Sequence, residues 1–244
     1  VCIDNSNAAS IIPNIKRPVV TFGIHEDAEV KATRLYFENN HSSFELSVHG
    51  KSQGELTVHA PGEHNVKNAL GAVALALEID IPFEKIQLGL DQYAGVRRRF
   101  DIKYTTEKNI MIVDDYAHHP SEVSATLKAT KTGWDKRVIV IFQPHLFTRT
   151  RDFYHDFAEA FLQADILIVT DIYAARENPL PGITAQIISD EAERLGHNHV
   201  EFIPEQTNIP TRLKEIVQTN DMIITMGAGN IWRQCEGIHE AVNN

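Results

Sequence analysis

The sequence predicts an α/β fold in which a parallel sheet with crossover helices is preceded by a smaller α/β part. Three observations predict it. Four apolar runs, Ile110–Val113, Val138–Phe142, Ile166–Val169 and Met222–Met226, are nearly continuous in β-branched residues, as strands buried on both faces are. Helix-like stretches at about 121–131, 152–163, 184–195 and 207–219 follow or separate them, the alternation of a parallel sheet. Ahead of these, residues 17 to 60 carry short runs of β type instead.

Those early runs are Pro18–Phe22, Thr33–Phe37, Ser43–Val48 and Glu55–Val58; the last two alternate polar and apolar residues, as strands with one wet face do. A helix is expected to begin near Asn65 and run through Ala69, Val73, Ala76 and Leu77. A second is opened by Pro82 and carries Phe83, Ile86 and Leu90. Gly95-Val96-Arg97-Arg98-Arg99 reads as the joint, which divides the chain into residues 1–97 and 98–244. No internal repeat or low-complexity segment stands out.

At 244 residues the chain suits one large domain or two small ones, and its hydrophobic fraction of 43% is that of an ordinary globular protein. No apolar run approaches the roughly 20 residues that cross a bilayer, so no membrane insertion is expected. The start lacks the basic and apolar regions of a signal peptide. A net charge of -10 argues against general nucleic-acid binding. Cys2 and Cys235, the only cysteines, imply neither a disulfide framework nor a zinc site, and the simplest setting is cytoplasmic. Val1 in place of an initiating methionine suggests a fragment.

Ligands of open parallel sheets bind outside the carboxyl ends of the strands. Here those ends carry Asp114-Asp115-Tyr116-Ala117-His118-His119-Pro120, Gln143-Pro144-His145 with Thr148-Arg149-Thr150-Arg151, Thr170-Asp171-Ile172-Tyr173, and Gly227-Ala228-Gly229-Asn230. The opposite ends carry mostly turn residues. Each motif also has a plainer explanation. Asp114, Asp115 or Ser121 can cap the helix after Pro120. His118 and His119 lack a third ligand at metal-like spacing, so no metal site is expected there. Arg149 and Arg151 are either solvated or placed to take a carboxylate or phosphate in a fork. Gly227-x-Gly229 lacks the third glycine of a dinucleotide fingerprint, Trp232 standing in its place, and reads as a tight turn. Gly50-Lys51-Ser52 mimics the end of a phosphate-binding loop, but the required first glycine is Glu45. Asn65 and Asn68 share a helix face and can either read a purine edge or serve locally, Asn65 as the N-cap. Arg97, Arg98 and Arg99 can grip a polyphosphate or form a solvated run.

Together the motifs Gly62-x-His64-Asn65-x-x-Asn68-Ala69, Arg98-Arg99-Phe100-Asp101, Asp114-Asp115-Tyr116-Ala117-His118-His119-Pro120-x-Glu122 and Gln143-Pro144-His145-x-Phe147-Thr148-Arg149-Thr150-Arg151-Asp152 resemble the Mur ligases, the ATP-dependent amino-acid-adding enzymes of bacterial peptidoglycan synthesis. The last two, with Asp171–Ala175, Pro179-x-Pro181-Gly182 and Gly227–Ile231, look most like the member that joins L-alanine to UDP-N-acetylmuramate. The resemblance covers nearly the whole chain. It implies that residues 1–97 are the end of a central ATPase-type α/β domain and residues 98–244 a C-terminal Rossmann-like ligase domain. It places the P-loop and the magnesium ligands in a part that this chain does not include.

The implied reaction has two steps. The muramate carboxylate attacks the ATP γ-phosphate to give an acyl phosphate, and the amine of L-alanine then displaces phosphate; positioning and charge neutralisation supply the catalysis. By the same resemblance His64, Asn65 and Asn68 hold the adenine, Arg99 reaches the phosphates, Asp115 the ribose, and His118 lies beside the nucleotide. His145 and Arg149 face the alanine carboxylate. The pattern departs at Leu146, where some relatives have Arg, and at Ala175-Arg176-Glu177, where others have Gly-Glu after Tyr-x-Ala. A tripeptide-recycling relative, a non-catalytic nucleotide-binding module and a dinucleotide-dependent oxidoreductase are the competing expectations.

Overall fold

The computed structural model describes residues 1–243. It divides into two compact units, one formed by Val1–Gly95 with Thr132–Trp134 and the other by Val96–Lys131 with the residues from Asp135 onward.

The first unit opens with a short helix α1 (Ser6–Ser10), whose amide at Ala8 donates to the Asn5 side chain at 2.9 Å. Four strands follow in the spatial order β1 (Phe22–Gly23), β2 (Val30–Glu38), β3 (His41–Val48) and β4 (Lys51–Val58). β1 lies parallel to β2, and β2, β3 and β4 run antiparallel. The strand expected at 18–22 shrinks to Phe22 and Gly23, the two residues that pair with β2; just ahead of them the Thr21 carbonyl still accepts the Val30 amide at 3.0 Å, while its own amide and hydroxyl turn to the Glu29 carboxylate. Between β3 and β4, His49 and Gly50 have φ of 48° and 76°. Two successive left-handed residues form the two-residue hairpin turn that matches strand twist. Gly50-Lys51-Ser52 is therefore a hairpin and not a phosphate loop.

Helices α2 (Glu63–Glu78) and α3 (Phe83–Asp91) cover this sheet. α2 starts two residues earlier than the sequence suggested, with Gly62 at φ 89° as its N-cap, so Asn65 lies inside the first turn and does not cap it. Alternation along β3 points Phe44 and Leu46 inward, where with Leu56 they meet Val66, Leu70 and Val73 of α2.

The second unit is a six-stranded sheet with helices on both faces. Its elements are β5 (Asp101–Thr105), β6 (Met111–Asp115), α4 (Pro120–Gly133), β7 (Val138–Phe142), α5 (Phe147–Phe161), β8 (Ile166–Val169), α6 (Gln186–Arg194), β9 (Val200–Phe202), α7 (Ile209–Ile216), β10 (Met222–Met226) and α8 (Gln234–Asn243). The strand order is β5-β6-β10-β7-β8-β9, parallel throughout except for the antiparallel edge strand β5. The last strand thus returns to the middle, where every residue of β10 is buried. Because crossovers keep one hand, a connection running back across the sheet puts its helix on the opposite face. Accordingly Ile209 and Leu213 of α7 and Cys235, Ile238 and Val242 of α8 pack with Ile112, Ile139, Ile141 and Ile223 on one face. On the other, Phe142 meets Phe157 and Phe161 of α5, ring centroids 5.0 and 4.9 Å away. The expected α/β class holds; β5, β9 and α8 are elements that the sequence reading did not name.

Candidate functional site

Within the second unit the carboxyl ends of β6, β10, β7 and β8 gather the chemistry-bearing residues along one edge. β6 ends in Asp114 and Asp115, both buried but pointing to opposite faces. Asp114 is wholly buried and pairs with Arg98, whose Nε donates at 2.9 Å, while the Thr225 hydroxyl donates to its other oxygen at 2.9 Å. The same guanidinium donates to the Gly227 carbonyl at 2.6 Å and stacks over the Tyr116 ring at 4.9 Å. Burial raises the Asp114 pKa even against Arg98. Arg98 is therefore a clasp between two strand ends, and of the arginine run only its neighbours are free to meet a polyphosphate. Arg99 is the more exposed, with one nitrogen 3.5 Å from Glu122.

Asp115 accepts from the amides of Phe100 at 2.9 Å and Ala117 at 2.8 Å and from the Thr126 hydroxyl at 3.3 Å. Burial pushes its pKa up to about 6, against the pull of those amides. Neither aspartate caps α4. Glu122 does so from inside the helix, taking the amides of His118 and His119 at 3.0 and 3.3 Å. Burial opposes the ionisation of Glu122, but those amides, His118 and Arg99 outweigh it and hold its pKa low.

His118 donates through Nδ1 to the Tyr116 carbonyl at 3.0 Å, and its ring meets that of His145 edge-on at 6.0 Å. His145 in turn lies nearly parallel to Tyr173, centroids 5.8 Å apart. Arg149, one helical turn on in α5, brings Nη1 within 3.4 Å of His145 Nδ1. A guanidinium can only donate, so Nδ1 is the acceptor and the ring is neutral there. Burial, then Arg149 and His118, lower the His145 pKa and favour that state. The backbone braces the pair: Tyr173 N donates to the Pro144 carbonyl at 2.8 Å and Leu146 N to the Tyr173 carbonyl at 3.0 Å. α5 begins at Phe147, five residues before the sequence expectation, because Glu177 from the loop after β8 accepts the Thr148 amide at 2.9 Å and its hydroxyl, supplying a cap that Leu146 lacks. Arg151, by contrast, faces solvent and pairs with Asp152.

The turn Gly227–Gly229 is fixed by packing. A Cβ on Gly227 would lie 2.6 Å from the Gln143 carbonyl, and one on Gly229 would lie 2.2 Å from Gln143 Oε1 and 2.7 Å from Tyr173. Gln143 itself is buried, donating to Asn230 at 2.9 Å and accepting the Ile231 amide at 3.1 Å. Gln143, Tyr173 and Glu177 thus shape the site, although nothing in the sequence around them signals these contacts.

In the first unit, Asn65 donates to the Pro61 carbonyl at 2.8 Å and lies 3.1 Å from His64 Nε2; Asn68 is exposed and donates to Asn65 at 3.4 Å. These three side chains thus form one chain of contacts at the start of α2. Lys67, within the same motif, points elsewhere: it pairs with Asp4 at 3.1 Å. Asp4 also accepts the amides of Ile24, His25 and Glu26 at 2.8, 3.0 and 3.1 Å. Burial works against that carboxylate, but the amides and Lys67 prevail and lower its pKa to about 2. No sequence signal marked Asp4.

Among the described residues no three His, Cys, Asp or Glu side chains converge as metal ligands, and no helix is long and apolar enough to cross a membrane.

Comparison with known proteins gives these positions a context. The family profile described as Mur ligase, glutamate ligase domain, matches residues 98–229, and that described as Mur ligase middle domain matches residues 1–76. A UDP-N-acetylmuramate–L-alanine ligase of Salinibacter ruber is 42% identical over 245 residues, covering 100% of this chain and 51% of that protein. Its counterpart in Geotalea daltonii is 44% identical over 240 residues, covering 98% and 52%. Among solved structures, the UDP-N-acetylmuramate-alanine ligase of Thermotoga maritima superposes with a TM-score of 0.76 at 28% identity, covering 91% of this chain and 47% of that one. The MurF ligase of the same organism, solved in complex with ADP, shares the fold at a TM-score of 0.71 and 14% identity. The chain spans about half the length of the curated relatives it matches. With one profile spanning more than half of its residues and another much of the remainder, the chain belongs to the Mur ligase family.

Proposed function

We propose that the protein containing this chain ligates L-alanine to the carboxylate of UDP-N-acetylmuramate at the expense of ATP, through an acyl phosphate, in the cytoplasm. The observation that carries the reading is the His145–Arg149 pair at the carboxyl end of β7. A half-buried guanidinium beside a neutral imidazole offers a forked, permanent cation for a small carboxylate, on a rigid helix start. The relatives that carry the alanine-adding name support the same substrate.

In this reading residues 1–97 are the end of the central ATP-binding domain and residues 98–244 the ligase domain. Arg149 and His145 hold the alanine carboxylate. His118, with Nδ1 committed to the Tyr116 carbonyl, turns Nε2 to the nucleotide. His64, Asn65 and Asn68 meet the adenine; Asn68, the exposed end of their chain of contacts, does so most directly. Arg99 neutralises phosphate charge, its hold on Glu122 being loose enough to exchange. Asp115 has its oxygens committed to Phe100, Ala117 and Thr126, so its first part is to brace the start of the Tyr116 loop; one unused lone pair is what it offers a ribose hydroxyl. Magnesium would supply charge neutralisation at the transferring phosphate, and the resemblance assigns its ligands to residues outside this chain.

The test is a ligation assay on the full-length gene product with ATP, UDP-N-acetylmuramate and L-alanine, following phosphate release and the amide product. Turnover that requires all three supports the reading. Turnover with a tripeptide but not with alanine transfers the chain to the recycling member of the family, and inertness with every amino acid leaves a binding module.

A further inference from the structure

The carboxylate of Glu177 stands at the same turn of α5 as Arg149, and neither the ligation reading nor the sequence gives it a substrate role. It reaches that turn from a loop 29 residues away from Thr148. Two ties hold the loop there: the backbone exchange of Tyr173 with Pro144 and Leu146, and the bonds from Thr148 to Glu177 itself. Helix caps normally come from the residue just before the helix, as Asn5 does for α1. Importing one on a distant loop places a charge where a neutral hydroxyl would have capped as well. Each Glu177 oxygen accepts from Thr148 and the Phe147 amide also donates to the carboxylate, yet a carboxylate has about four lone-pair sites, so one remains, and the residue is only partly buried. Its negative charge is also felt at His145, the neighbour of the Arg149 guanidinium.

We infer that Glu177 is the group that recognises the ammonium of the incoming amino acid, forming with Arg149 a two-point clamp for an α-amino acid. This deepens the ligation reading and rests on its assignment of Arg149 to the carboxylate. The anion of the amino acid goes to the fixed cation on α5, and its cation goes to the fixed anion capping the same helix. A simple carboxylic acid of equal size satisfies only the first point. The clamp therefore selects a zwitterion before any chemistry begins.

The experiment is a nuclear magnetic resonance titration of this chain with L-alanine and with propionate, following the Thr148 and Arg149 amides. The wild-type chain should bind L-alanine about 10- to 100-fold more tightly than propionate, the range of one hydrogen bond to a charged group. Glu177→Gln keeps an acceptor for Thr148 but removes the charge, and it should bring that ratio close to one while propionate affinity stays the same. Glu177→Ala removes the cap as well, and its thermal melt separates loss of the helix start from loss of the clamp. Equal binding of the two ligands by the wild-type chain overturns the inference, as does a ratio that survives Glu177→Gln. The ligation assay fails separately: an active ligase whose ratio ignores Glu177 sinks only the clamp, whereas a clamp in a protein that ligates nothing sinks only the reaction.

Discussion

Arg98 and Arg99 are neighbours in sequence and opposites in environment. Arg98 serves a fully buried Asp114, so Arg98→Ala leaves an uncompensated charge in the interior and should cost about 3–5 kcal/mol, read by chemical denaturation. Arg99→Ala should change that stability by no more than about 0.5 kcal/mol, because its guanidinium is half exposed and its contact with Glu122 is loose at 3.5 Å. Asp115 gives the residue scale a pH signature. Its carboxyl takes up a proton near pH 6 when folded, against an ordinary value of 3.8. The folded state thus holds an extra proton between those values, and stability falls as pH rises through that window. Asp115→Asn should flatten the dependence in denaturation midpoints measured from pH 4 to 6.5. The sequence showed that these residues stand at strand ends, but not which carboxylate faces which donor. Adjacent aspartates on a strand look alike in one dimension and diverge only once the pleat turns them apart.

Elements were legible in proportion to their burial. β6, β7, β8 and β10 announce themselves as unbroken apolar runs because helices cover both of their faces. β5 and β9 lie at the sheet edges, where partial burial leaves a mixed pattern without a clear period. The start of α5 was misjudged for another reason: its cap comes from Glu177 by tertiary contact, so no local signal precedes Phe147. The central strand is the element on which the sheet turns. Ile224 is wholly buried and flanked by ladders on both sides, and Ile224→Ala should destabilise the second unit by about 2–5 kcal/mol in a urea or thermal melt.

At the scale of the molecule, the alternation of strands and helices was enough to fix the fold class, and the motifs at the carboxyl ends were enough to find the edge that carries the candidate site. What each unit would bind is implied only by resemblance, since nothing in the periodicity of residues 1 to 95 states it. The reading makes a prediction about the chain as a whole. Supplied with ATP, this chain alone should release no phosphate above the buffer rate, while the full-length gene product should do so with both co-substrates present. Phosphate release by the isolated chain would count against the assignment.

The position of β10 has a consequence for how the protein is made. The strand that completes the centre of the second sheet is the last one to be synthesised, and both of its ladders join strands made long before it. From the emergence of Phe142 until Met226 follows, β6 and β7 have a vacant slot between them, for seconds at the roughly 5–20 residues per second of translation. During that interval two apolar strand edges are open to any extended segment that passes, a neighbouring nascent chain included. Premature termination between Phe142 and Met222 therefore leaves a sheet with an open slot, not a shortened domain, and such products should be strong clients for chaperones.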